Sequence, residues 1–152
     1  MIDRDLIGRE QVYLINNKDE LDKKIDELNY KDFLIQEYIS SSKGKDVRIN
    51  IVDNKYICAI KRINNNDFRS NISSGGTALN YTPSQEFIDI ALKVNEIFKF
   101  DFCGVDVMFD EFDKPIVCEV NSSPQFVSTF KATNIDLSVL IAKMIKDRLC
   151  KD

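Results

Sequence analysis

Residues 118 to 125, CEVNSSPQ, put a carboxylate, an amide and two hydroxyls at the end of an apolar strand, directly before a proline that cannot continue it. Another apolar run, FCGVDVMF, precedes it, with the turn DEFDK between the two. Taking residues 111 to 114 as the loop of a hairpin pairs Asp110 with Pro115 and, in the same register, sets Asp106 opposite Glu119. Strand alternation then sends Glu119 and Asn121 to one face, and Cys118 and Val120 into the core. Facing carboxylates with Cβ atoms about 5 Å apart repel each other unless a cation lies between them. Asp106, Glu119 and Asn121 are hard oxygen ligands of the kind that suits magnesium or manganese. A solvated hairpin edge whose carboxylates only keep it soluble is the competing reading.

Two other stretches carry charge in a pattern that chemistry can use. DFRSNISSGGT brings Arg69, Ser70 and Asn71 up to Gly75-Gly76, a cation, small donors and glycines whose backbone N–H groups can approach phosphate oxygens. An ordinary surface turn has the same composition. In SSSKGKDVRINI, Asp46 and Arg48 open a strand after a polar turn, and Lys61 and Arg62 close its partner. Alternation places Arg62 on one face with Tyr56, Cys58 and Ile60, as a directed cation or as a basic hairpin end exposed to water.

The elements that must position these residues follow from period and punctuation. Gly8 turns into a strand over 12–15, and KDELDKKIDEL has Leu21, Ile25 and Leu28 at helical spacing. FLIQEYI reads as a strand, and DVRINIVDNKYICAIKR as two strands joined at Asp53-Asn54, a pair that tolerates the positive φ of a tight turn. TPSQEFIDIALKVNEIFK offers Thr82 as N-cap, Pro83 at the first helical position and Gln85 three residues after the cap, with a core stripe of Phe87, Ile88, Ala91, Leu92 and Phe98. DLSVLIAKMIKDRL is a closing helix capped by Asp136. Hairpins set between helices, without strict β-α-β alternation, predict an α+β fold. Its sheet is largely antiparallel, with helices on one face and the other face free for a ligand.

Composition removes several classes of function. The chain of 152 residues is 43% hydrophobic, enough for a core in a single domain. A net charge of -4 leaves no basic excess for a nucleic acid partner. No apolar run reaches the roughly 20 residues of a membrane span, and MIDRDLIGRE is too charged for a signal peptide, so the expectation is a cytoplasmic protein with no membrane partner. The four cysteines form no C-x-x-C pair, and Cys58, Cys103 and Cys118 sit in strand-like runs, as core thiols in a reducing compartment would. Histidine is absent, so any chemistry must run on carboxylates, cations and backbone.

Taken in order, LIQEYI, GKDVRINIV, AIKR, DFRSN, GGT, GVDVMFD and EVNSSP resemble the C-terminal half of the ATP-grasp fold, and in particular the RimK-type glutamate ligases. The resemblance implies an ATP- and Mg-binding portion of a carboxylate-amine ligase that acts through an acyl phosphate on an amino-acid or peptide substrate. It implies that Glu37 and Tyr38 meet the adenine, that Asp46 lies near the nucleotide sugar, and that Arg69, Ser70 and Asn71 approach the triphosphate. Arg62 would face the transferred phosphoryl group or the acyl phosphate, and Asp106, Glu119 and Asn121 would be the magnesium ligands. Residues 1–35 would then be a remnant of the lid subdomain, and 36–152 the ATP- and metal-binding subdomain of a single partial domain. The sequence departs from the family in lacking the lysine and glycine-rich segment expected before Val12, in Gln125 after the proline, and in Ser73 and Ser74 before the glycine pair. The expectation is therefore that an N-terminal half of the ligase is missing as a partner. A stand-alone nucleotide-binding or regulatory module without catalysis is the alternative.

Overall fold

In the computed structural model, the described residues are 2–3, 12–29, 31–72 and 75–150. The chain divides into two compact units, Met1–Tyr38 and Ile39–Asp152.

In the first unit, β1 (Ile2–Asp3) pairs antiparallel with β2 (Phe33–Leu34), and α1 (Lys18–Leu28) lies between them in sequence. Asn17 caps α1 by accepting from the Glu20 N–H at 2.9 Å, while the Glu20 carboxylate accepts in return from the Asn17 side chain and the Asn16 N–H. Leu28 is buried, and Asn29 ends the helix with φ 47°. Of two expected strands, one is not formed and the other is cut short. Residues 12–15 contribute a single bridge at Val12, and after Leu34 the FLIQEYI segment is irregular. Ile35 and Tyr38 are exposed, and an apolar run becomes a strand only where a neighbouring strand takes up its backbone bonds. Gly8 lies outside the described residues.

The second unit begins with a 3-10 turn, Ser40–Ser42, and then builds β3 (Lys45–Val52), β4 (Lys55–Ile63), β5 (Thr77–Tyr81), α2 (Gln85–Phe98), β6 (Phe102–Phe109), β7 (Pro115–Asn121), α3 (Val127–Thr133) and α4 (Leu137–Leu149). The five strands form one sheet in the order β5-β4-β3-β6-β7, antiparallel throughout. Asp53 and Asn54, with φ 51° and 56°, make the expected β3–β4 turn.

Val47, Ile49, Ile51, Cys103, Val105, Val107 and Phe109 point to one face and pack against Phe87 and Ala91 of α2. The cap of α2 is Ser84, two residues later than expected, so Pro83 precedes the helix. Phe98 is 54% exposed and stacks on Phe100, while Asn95 takes the core position and bonds to Cys103 and Asn54.

Val52 and Cys58 point to the opposite face and join Leu137 and Met144 of α4 in a second cluster. Asp136 caps α4 by accepting from the Ser138 N–H. The antiparallel α+β architecture is the expected one, but α4 closes the turn end of the face predicted to be free. A bulge between Asn50 and Ile51 breaks the alternation of β4, so Tyr56 joins the α2 face and does not share one with Cys58. Among the described residues, no helix is long and apolar enough to cross a membrane.

Candidate nucleotide and metal site

The polar residues of interest meet on the second face, at the end away from the β3–β4 turn, because sheet register aligns them. Arg62 on β4 pairs with Asp46 on β3, Arg48 on β3 pairs with Asp106 on β6, and Asp106 pairs with Glu119 on β7. Arg62 Nε donates to Asp46 Oδ1 at 2.7 Å, and its Nη2 donates to Asp46 Oδ2 and, at 2.8 Å, to Asp106 Oδ2. Arg48 forks onto the Asp106 carboxylate through Nε and Nη2, both at 2.7 Å. The Ser70 hydroxyl donates to Asp46 Oδ2 at 2.6 Å. Asn121 Nδ2 donates to Glu119 Oε1 at 2.8 Å, which leaves the Asn121 amide oxygen as an acceptor.

Burial makes this network expensive to break. The side chains of Asp106 and Arg62 are 2% and 6% exposed, whereas Glu119 is 58% exposed at the rim. Burial pushes Asp106 up, but the Arg48 hydrogen bond and the charges of Arg62 and Arg48 outweigh it and hold the carboxyl below the usual range. Although more than half of its side chain meets solvent, partial desolvation of the Glu119 carboxyl against the cluster, followed by the charge of Asp106, pushes it up. Three carboxylates thus face two guanidiniums, which leaves the cluster one positive charge short.

The Asp106–Glu119 pairing is the one read from sequence, reached by a different route. Phe109, not Asp110, pairs with Pro115, so the loop holds an extra residue, and a bulge at Cys118 restores the register before Glu119. Cys118 is consequently exposed and not a core thiol, while Cys58 and Cys103 are buried. Asp46 is buried, and both of its oxygens are engaged by Arg62 and Ser70, so it serves to fix Arg62. Arg69 lies over Phe68 and bonds to the Asp67 carboxylate, with Nη2 to Oδ2 at 2.6 Å. Asn71 accepts from the Gly76 N–H through its backbone carbonyl, and a Cβ at Gly76 would lie 2.4 Å from Ser70 O, so this glycine serves the loop's own packing. Residues 73 and 74 lie outside the described residues. Glu37 and Tyr38 are exposed in the first unit.

Sequence reading did not assign Arg48, Gly104 or Pro124. A Cβ on Gly104 would lie 3.0 Å from Pro124 Cβ and 3.3 Å from Arg48 Cδ, so the glycine lets the proline and the arginine stem pack against β6. Arg48 shares alternation with Asp46, which was legible. Its pairing with β6 is a contact between distant segments and was not.

The donor chemistry fits a hard divalent cation. Glu119 stands opposite Asp106, and the Asn121 amide oxygen is on the same strand face. Among the described residues, no group of three or more His, Cys, Asp or Glu is placed to hold a metal ion, so the candidate set is two carboxylates and an amide.

A family model described as the RimK-like ATP-grasp domain matches residues 7–145. A protein of Mycoplasma genitalium named "Uncharacterized protein MG012" is 34% identical over 134 residues, which cover 88% of this chain and 46% of that one. The ribosomal protein bS6–L-glutamate ligase of Escherichia fergusonii is 38% identical over 114 residues, 74% of this chain and 37% of that one. Among solved structures, the ATP-grasp ligase PsnB, complexed with a phosphomimetic variant of its minimal precursor, Mg and ADP, superposes with a TM-score of 0.57 over 70% of this chain and 32% of that one. At 19% identity that likeness is one of fold. The chain spans less than half the length of these two curated relatives.

Proposed function

The chain belongs to the RimK-like ATP-grasp domain family, and from that membership we propose that it forms the ATP- and Mg-binding portion of a carboxylate-amine ligase of glutamate type. In such a ligase the substrate carboxylate takes the terminal phosphoryl group of ATP, ADP leaves, and an amine then displaces phosphate to form an amide. The single observation that carries the reading is the cross-strand pair Asp106–Glu119, with Asn121 beside it and two guanidiniums behind it.

Asp106, Glu119 and Asn121 would hold the magnesium ion, whose charge offsets that of the nucleotide phosphates. Arg62, fixed by Asp46, presents a directed positive charge where negative charge develops, and its preorganisation avoids reorientation at that moment. Arg69, Ser70 and Asn71 lie along the loop assigned to the triphosphate, and Glu37 and Tyr38 along the segment assigned to the adenine. The unit boundary between Tyr38 and Ile39 supports a division into a lid remnant over 1–35 and a nucleotide-binding subdomain over 36–152. The substrate is an amino acid or peptide, the compartment is the cytoplasm, and turnover requires more of the ligase than the part of the relatives' length that this chain spans.

Titration calorimetry with ATP and with adenosine, each with and without magnesium, tests the proposal. ATP binding should require magnesium, and Arg62→Ala or Arg69→Ala should weaken ATP more than adenosine, because only ATP carries the triphosphate charge. Equal losses for the two ligands, or ATP binding indifferent to magnesium, would contradict it.

A further inference from the structure

Asp106 has two competing partners. It is the carboxylate that faces Glu119 across the hairpin, yet Arg48 and Arg62 already hold its oxygens at 2.7 to 2.8 Å. The two arginines are not equivalent. Arg62 is anchored separately by Asp46, which Ser70 fixes in turn, and is the more deeply buried. Arg48 is 12% exposed, forks onto Asp106, and reaches toward Glu119 with Nη2 at 4.0 Å from Oε1. Its Nη2 therefore lies within 4.0 Å of both carboxylates that would hold a divalent ion. A dication and a guanidinium repel at that range, and the same two oxygens cannot satisfy both in full.

We propose that Arg48 is a resident counter-cation of the metal site, displaced from Asp106 when a divalent ion binds, so that metal entry and release of the Arg48 guanidinium are one coupled event. The inference rests on the reading of Asp106, Glu119 and Asn121 as metal ligands. Arg48 acts through Asp106 as a positioning residue: it neutralises the buried carboxylate in the metal-free protein and frees it for the metal. Arg62 stays, because leaving would strip Asp46 of its partner as well. The stem of Arg48 packs where Gly104 has no side chain, its Cδ 3.3 Å from where a Gly104 Cβ would stand.

The test measures manganese affinity by calorimetry on the whole chain, comparing the parent with Arg48→Met, Arg48→Lys and Glu119→Gln. Displacement predicts that Arg48→Met binds manganese about tenfold more tightly than the parent, a coupling of ordinary size. Arg48→Lys, which restores the positive charge, should return affinity toward the parental value. A guanidinium that only braced the sheet would loosen the site when removed, so equal or weaker binding by a folded Arg48→Met overturns the proposal. If Arg48→Met does not fold, the parent carries the test. In nitrogen-15-labelled protein the guanidinium NMR signal of Arg48 should move on saturation with magnesium while that of Arg62 changes little, and an unmoved Arg48 signal overturns the proposal. A parent that binds no manganese, or a Glu119→Gln variant that binds it as the parent does, would remove the ligand assignment itself and the inference with it. That result is distinguishable from an intact metal site with a passive Arg48.

Discussion

A carboxylate as buried as Asp106 stays ionised only when its charge is matched, and Arg48 and Arg62 match it with three hydrogen bonds. Asp106→Asn would leave Arg48 with only the rim carboxylate of Glu119, 4.0 Å away, as counter-ion. It should cost about 3 to 5 kcal/mol of stability, the usual penalty for breaking a buried pair, measured by urea unfolding; a loss below about 1 kcal/mol would show that the arginines re-pair freely. Because the Asp106 carboxyl lies below its ordinary value, its stabilising contribution is fully present above the unfolded carboxylate pKa and is lost as pH falls through the depressed folded value. Glu119 has the opposite sign. Its raised value means that its contribution is present below the unfolded pKa and is lost as pH rises through the folded one. In metal-free buffer, Glu119→Gln should therefore gain melting temperature relative to the parent as pH rises from the acidic side of the carboxylate range to neutrality. A difference independent of pH would mean that Glu119 is simply solvated.

The elements show why sequence reaches some of this site and not all of it. The β3–β4 turn was legible because Asp53 and Asn54 accept positive φ, and the α4 cap because Asp136 stands directly before an apolar run. Asp106 and Glu119 were legible as a pair because hairpin register is local, even though the loop and the Cys118 bulge shift it by compensating single residues. Arg48 was not, because β3 meets β6 across some fifty residues of chain and no local pattern announces that neighbour. The strands expected over 12–15 and beyond Leu34 failed for a related reason, since apolar alternation does not supply a partner. Gly104 is the element-scale test: Gly104→Ala forces a Cβ against Pro124 and the Arg48 stem, and should cost about 1 to 3 kcal/mol and disturb metal binding together. Asp136→Ala, which removes a cap remote in sequence from the site, should cost about 1 kcal/mol and leave metal affinity unchanged. If both variants altered metal affinity equally, general loosening and not Arg48 placement would explain the effect.

At the scale of the molecule, one sheet face is spent on the apolar core against α2, and the other is divided between the α4 cluster and the charged cluster. That division puts the Asp106–Glu119 hairpin and Arg62 on one surface, while the Mycoplasma genitalium and Escherichia fergusonii relatives carry more than half of their length beyond the matched region. The 152-residue chain alone should accordingly bind Mg-ATP weakly and release no ADP when offered glutamate and an amine, and amino-acid-dependent turnover would show that it suffices for the reaction. The central claim is that Glu119, opposite Asp106, holds the metal through which nucleotide binds. The most direct measurement is the melting-temperature shift produced by magnesium plus ATP in the parent and in Glu119→Gln, which removes one charge with little change of shape. The account predicts a clear upward shift in the parent and none in the variant, with the ligand-free variant at least as stable as the parent; equal shifts in the two proteins would contradict it.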